Sequence, residues 1–241
     1  MAKFTNENGV ASGGIRTNSA TQEMTLGTKV CASGGRVYRY VKAGGTALVA
    51  GKLYDGPARV TNHSTCAVVT GTAGDTELVV TLGATLATED HYAGGIVNVY
   101  DEDGQGQTLS IKSHPAADSG ANLTITLDDD EPIVTALTTS SQVQLVPNQY
   151  KSVIIHAASE TGLPVGVAIT AITACYYGFI QTRGPVSVLA DSSPAALGQQ
   201  VDASTTTDGA VTLGTVGTAG IGYSYIQAVS TEYNPIFLML S

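Results

Sequence analysis

The chain has 241 residues, of which 43% are hydrophobic and only 13% charged, with a formal net charge of −9. That length allows one large all-β domain or two small ones with a real core, and the apolar content excludes a disordered chain. Eleven Lys and Arg scattered without a basic stripe exclude nucleic-acid binding by counterion release.

The charged share is about half the ~25% usual for soluble domains, which points to a surface largely covered by neighbours. The start, Met1-Ala-Lys-Phe-Thr-Asn-Glu-Asn8, lacks the apolar run of a signal peptide, so the expected site of synthesis is a reducing cytoplasm. No uncharged stretch has membrane-spanning character; even 163–180 is broken by Pro164, by several Gly and Thr and by a Tyr pair, and no membrane partner is expected. Cys31, Cys66 and Cys175 are odd in number and lack CxxC spacing, and read as reduced, buried small hydrophobes.

Residues 1–28 are polar, with few apolar anchors beyond Phe4, Val10, Ile15, Met24 and Leu26, and read as an extended arm ordered only against a partner. Strands are predicted at 36–42, ending at the Gly44-Gly45 turn, and at 77–82, 95–100, 107–112 and 122–127. The last of these alternates polar and apolar strictly, as a half-buried strand does. The acidic turn Asp101-Glu-Asp-Gly104 joins two of them as a hairpin. Further strands are predicted at 142–146, 151–156, 165–172, 175–181, 185–190, 209–213, 221–228 and 235–240. Thr85–Ala93 and Pro132–Thr138 are short helix candidates whose Thr content opposes regular helix.

The resulting fold class is all-β. Residues 29–58 and 147–241, with longer Val/Tyr/Ile strands, are expected to form one β-barrel or sandwich-like domain. Into it a small β module, 59–146, is inserted, and 1–28 precedes it as the arm. A faint echo, Val165-Gly-Val-Ala-Ile-Thr170 and Ala219-Gly-Ile-Gly-Tyr-Ser224, does not recur at a fixed spacing, so the chain is not a solenoid.

Motifs for chemistry are weak. The four histidines, His63, His91, His114 and His156, lie in no catalytic pattern, and there is no nucleophile elbow, His-Glu-x-x-His or phosphate loop. Asp101-Glu-Asp103-Gly-Gln105-Gly106 opens like a calcium loop, but position twelve is Lys112, a cation where the site needs a bidentate carboxylate. Asp128-Asp-Asp-Glu131 reads as a solvated loop at a strand end. The sequons at Asn62 and Asn122 have no meaning without secretion. The absence of Trp opposes a sugar-stacking cleft. The expectation is therefore a non-enzyme with no catalytic residues, metal or cofactor. The Tyr side chains, with a large ring and a polar tip, suit packed or subunit surfaces, above all Tyr38, Tyr40, Tyr176 and Tyr177.

Several stretches resemble a family of tailed-phage virion proteins described as structural or head-decoration (cement) proteins. They are Gly35-Arg-Val-Tyr-Arg-Tyr-Val-Lys-Ala-Gly-Gly-Thr-Ala-Leu-Val-Ala-Gly-Lys-Leu53, Val79-Val-Thr-Leu-Gly-Ala-Thr85, His91-Tyr-Ala-Gly-Gly95, Gly104-Gln-Gly-Gln-Thr108 and Ala136-Leu-Thr-Thr-Ser-Ser141. The most specific is Tyr176-Tyr-Gly-Phe-Ile-Gln-Thr-Arg-Gly-Pro-Val-Ser-Val-Leu-Ala-Asp191. The resemblance implies a virion protein, made in the host cytoplasm, that sits on or between major capsid subunits and stabilises the head, with no catalytic residues to transfer. Its expected partners are the major capsid protein and its own copies, as a homotrimer. Its expected interface residues are Phe4, Ile15, Arg16, Tyr38, Tyr40, Tyr176, Tyr177 and Arg183. Another virion part (tail, vertex or fibre) and a surface glycan- or receptor-binding module remain open as alternatives.

Overall fold

The computed structural model describes residues 14–159, 161–191, 195–215, 220–227 and 229–240, and the backbone of 5–6. It is all-β; the one helical element among the described residues is a single 3₁₀ turn, Thr61–His63. The chain divides into two compact units, Met1–Ala58 with Gln149–Ser241, and Arg59–Asn148. The first stretch carries β1 (Thr5–Asn6), β2 (Lys29–Ala32), β3 (Arg36–Lys42) and β4 (Leu53–Asp55). The inserted unit holds β5 (Cys66–Thr70), β6 (Glu77–Thr81), β7 (Ile96–Asp101), β8 (Thr108–Ser113), β9 (Asn122–Leu127) and β10 (Gln142–Val146). The last stretch adds β11 (Ile154–Ile155), β12 (Pro164–Ala168), β13 (Tyr177–Leu189), β14 (Gln200–Ala203), β15 (Val211–Leu213), β16 (Gly222–Ser224) and β17 (Tyr233–Met239).

The inserted unit is a closed antiparallel barrel in the order β10-β5-β6-β9-β8-β7. The period-2 pattern dictates its inside: Leu123, Ile125 and Leu127 of β9 are buried while Asn122, Thr124 and Thr126 face out. Leu78, Val80, Val97, Val99, Ile111 and Val143 complete an apolar core. Outside, polar side chains pair across strands: Asn98 donates to Gln144 (3.2 Å), Thr81 to Asn122 (3.0 Å), and the Tyr100 hydroxyl to Gln142. Such pairs each contribute about 0.2–1 kcal/mol. Apolar inside and polar outside is the reverse of a membrane-spanning barrel. No helix among the described residues is long and apolar enough to cross a membrane. At the β7–β10 join a Cβ on Gly95 would lie 2.2 Å from the Val146 carbonyl oxygen, so ring closure there requires glycine.

The two helix candidates, 85–93 and 132–138, form turns and bridges instead. Ala87 bridges Ala117, Leu137 bridges Gly71, and Ala87, Tyr92, Ile133 and Leu137 point into the barrel core. Thr-rich stretches this short gain more from plugging a barrel than from an isolated helical turn.

The other unit is an eleven-stranded sheet, β1-β2-β3-β13-β17-β16-β14-β15, with β12 bonded to β13 and β4, and β4 to β11. The closed barrel is thus the inserted module, while the 29–58 plus 147–241 portion builds this sheet. Its spine is β13, 13 residues long, which pairs with β3 over Tyr177–Arg183 and with β17 over Arg183–Leu189. The sequence reading divides this strand at Gly184-Pro185, but the strand runs through. Gly184 sits at φ +89, bending the backbone without ending it, and the buried Gln181 amide spans the bend by donating to the Arg183 and Pro185 carbonyls (3.0 and 2.8 Å).

Residues 14–28, expected to be ordered only against a partner, pack on their own unit. Ser19 and Tyr177 exchange backbone hydrogen bonds of 3.0 and 2.8 Å, and Ile15, Met24 and Leu26 cover the cluster of Val30, Tyr38, Tyr40 and Phe179. The few apolar anchors suffice because the sheet offers an aromatic surface to receive them. β1 likewise pairs with β2 of the same chain.

At the seam β4 pairs with β11, Asp55 opposite Ile154. There the buried His156 donates from Nδ1 to both Asp55 carboxylate oxygens (2.9 and 3.0 Å), and Nε2 faces the Ser204 carbonyl oxygen at 3.2 Å. His156→Ala would strand a buried carboxylate, and urea unfolding is expected to show a loss of about 3–5 kcal/mol. Replacing both partners, Asp55→Leu with His156→Leu, is expected to cost less than the single change, because no uncompensated charge remains.

Candidate functional site

Chemistry would be carried by buried titratable groups, and those described are held by the fold. Ser204 lies beside His156, but its hydroxyl donates to Asp191 Oδ2 (2.7 Å) and accepts the backbone N–H groups of Thr206 and Thr207. The hydroxyl is turned to a carboxylate and the imidazole to a carbonyl, which is the geometry of a turn clamp and not of a nucleophile and its base.

In the barrel, three histidines surround Tyr92. His63 Nε2 donates to the Thr85 carbonyl (2.8 Å), so its Nδ1 accepts the Tyr92 phenol proton (2.5 Å). His114 Nδ1 donates to the Pro115 carbonyl (2.8 Å), and its Nε2 accepts the Tyr92 backbone N–H (2.9 Å). His91 meets the Tyr92 ring edge-on at 4.6 Å. Among the described residues no group of His, Cys, Asp and Glu is assembled to hold a metal. Burial pushes the Cys66 thiol up to about 11 and lifts the Tyr92 phenol far above its ordinary 10.0. Both are neutral core groups.

The acidic runs are also accounted for. Gly104 and Gly106, at φ +76 and +89, shape the β7–β8 hairpin, with the Gly106 N–H on the Val99 carbonyl (2.8 Å). Lys112 pairs with Asp129 at 2.8 Å, and Glu131 accepts the Ser110 N–H at 2.9 Å, so the 128–131 run is tied to β8.

What remains is a surface. On one face of the sheet, cross-strand register sets Pro185, Phe237 and Tyr223 in a row across β13, β17 and β16, with Ser187 and Pro235 forming the next. Tyr225 packs against Phe237 at 6.1 Å, and Tyr223, Tyr225, Tyr233 and Met239 are 43–50% exposed. The central rows carry no charge. The opposite parity of β17, Asn234, Ile236 and Leu238, is buried, so this strand is apolar on both faces. Large apolar residues on both parities of one strand need a cover on each side, and within this unit one side is open.

The expected interface residues divide. Arg183 is exposed at the margin of this face, opposite Met239. Arg16 is exposed and donates to the Ile169 carbonyl (3.2 Å), while Ile15 is half-buried on the sheet. Tyr176 and Tyr177 are half-buried, the latter stacked on Tyr40. Tyr38 and Tyr40 are corrected to core positions, because strand parity turns both into the cluster with Phe179. Phe4 lies outside the described residues. Sequence reasoning missed Tyr223, Tyr233, Pro235 and Phe237; the two-sided apolar pattern of Tyr233–Met239 was the available signal. Cys66 is buried as expected, but Cys31 and Cys175 are exposed, Cys31 on the outward parity of β2 and Cys175 in a turn at φ +64.

No protein-family model, curated protein or solved structure matches this chain.

Titration with a chromogenic disulfide reagent at pH 8 is expected to find two fast thiols in the native protein, Cys31 and Cys175, and a third only after unfolding. Because folding raises the Cys66 and Tyr92 values above their ordinary 9.0 and 10.0, the stability they confer is complete below those values. It is lost as pH climbs through the higher folded ones. An alkaline series of thermal melts is expected to stay flat to about pH 9 and fall beyond it, with phenolate absorbance rising alongside unfolding.

Proposed function

We propose that this chain is a non-enzymatic head-decoration protein of a tailed phage, which binds the outer surface of the major capsid lattice and stabilises the head. The observation that carries the reading is the uncharged face of Pro185, Tyr223, Phe237 and their neighbours, on a strand whose other parity is already buried. A face of Tyr, Phe, Pro and Met with a polar margin has the composition of a subunit contact, in which aromatic rings supply area at low entropic cost. The low charge of the whole chain supports the same reading, as does the consumption of buried titratable groups by turns and core. The resemblance of 35–53 and 176–191 to decoration proteins supplies the lattice as partner and a trimer of its own copies as the form. Decoration acts by repetition: modest contacts, multiplied by symmetry, resist outward pressure together.

Quantitative mass spectrometry of purified particles is expected to give a ratio to the major capsid protein near one to one. A ratio of a few per hundred would move the chain to the tail or a vertex. Tyr223→Ser with Met239→Ser is expected to abolish rebinding to particles stripped of the protein while leaving its melting temperature nearly unchanged, since both side chains are about half exposed on the open face.

A further inference from the structure

Beside the apolar face, the same unit carries a cleft of about 440 Å³ lined by Arg16, Arg36, Tyr38, Gln181, Ser187 and Tyr233, among others. Arg36 donates from Nε to the Ser33 carbonyl at 3.3 Å, and Arg16 donates to the Ile169 carbonyl at 3.2 Å. Both cations lie close enough to act electrostatically on the Tyr38 phenol. Among the described residues neither makes an ion pair and no acidic side chain lines the cleft. Two guanidiniums line this concave site, and its described lining residues include no carboxylate.

Position gives the cleft a meaning. Pro185, Ser187 and Tyr233 belong both to its wall and to the apolar face, so whatever covers that face passes over the cleft mouth. We propose that the cleft is a carboxylate receptor: an Asp or Glu side chain of the protein subunit seated on the Tyr223–Phe237 face enters it and is held by Arg16 and Arg36. This rests on the decoration reading for the identity of the subunit, but not for the chemistry of the cleft. A guanidinium fork matches a carboxylate in two parallel hydrogen bonds, and the cleft walls shield the pair from water. The apolar face then supplies area and the cleft supplies register, since a contact of flat rings alone slides.

The probe is succinate, titrated at constant ionic strength into ¹⁵N-labelled full-length protein while the arginine Nε–H signals are followed. Saturable shifts at Arg16 and Arg36, absent at the exposed Arg59 and abolished in Arg16→Gln/Arg36→Gln of unchanged melting temperature, are expected. Equal shifts at all arginines, or none, would overturn the receptor, and tighter binding of inorganic phosphate than of succinate would overturn its carboxylate assignment. In a second arm, stripped particles are offered the wild type and the Arg16→Gln/Arg36→Gln variant. The variant is expected to bind about tenfold more weakly and with less dependence on salt. Equal binding of the two would remove the cleft from the capsid contact and leave the decoration reading standing. Failure of the wild type to bind, with the succinate shifts intact, would remove the decoration reading and leave the receptor.

Discussion

The constraint on which the fold depends is that a chain interrupted by a whole barrel must resume the same sheet where it left off. Asp55 and His156 are 101 positions apart, yet their buried hydrogen-bonded contact lies where β4 meets β11. Glycine makes the approach possible: a Cβ on Gly56 would sit 2.9 Å from the Gln149 carbonyl oxygen, and one on Gly162 would sit 2.7 Å from that of Gly56. The barrel meets the matching condition internally, since its first and last strands, β5 and β10, are neighbours in the ring. Once each unit holds its own ends together, a long insertion adds little closure entropy, because that cost grows only with the logarithm of length.

Much of this was legible in the sequence, and the reason is the regularity of the period-2 signal. Residues 122–127 and 142–146 alternate cleanly, because a barrel wall has one wet and one dry face, and the strands fall where the alternation places them. Short strands whose pairing is set by tertiary context escaped: β4 is three residues, all buried, with no alternation to read, and β14 is announced by nothing local. The division of β13 at Gly184-Pro185 failed for a related reason. A left-handed glycine signals a turn in isolation, but a sheet that continues on both sides turns it into a bend.

The interface residues were harder to read because a tyrosine in a strand looks the same whether its ring faces core or solvent. Tyr38 and Tyr40 have the composition of contact residues, but β3 is covered on both faces and both rings are buried, with Phe179 in their cluster. The converse holds at β17, where Phe237 and Met239 read as ordinary core until the register shows that Ile236 and Leu238 already fill that side.

Chemistry in this molecule is spent on architecture. Tyr92 satisfies two histidines, Asp191 fixes a serine and its turn, and Asp55 binds His156, so each of these buried groups has its desolvation offset by a specific partner. Arg16 and Arg36 break that habit. Their guanidiniums donate to the Ile169 and Ser33 carbonyls, and neither makes an ion pair among the described residues. They lie against the uncharged face, sharing Pro185, Ser187 and Tyr233 with it. An apolar face with an adjoining cationic cleft is complementary to a surface that is apolar with an adjoining carboxylate. Since each feature alone is common on proteins, it is their shared wall at Pro185, Ser187 and Tyr233 that makes a single partner satisfy both.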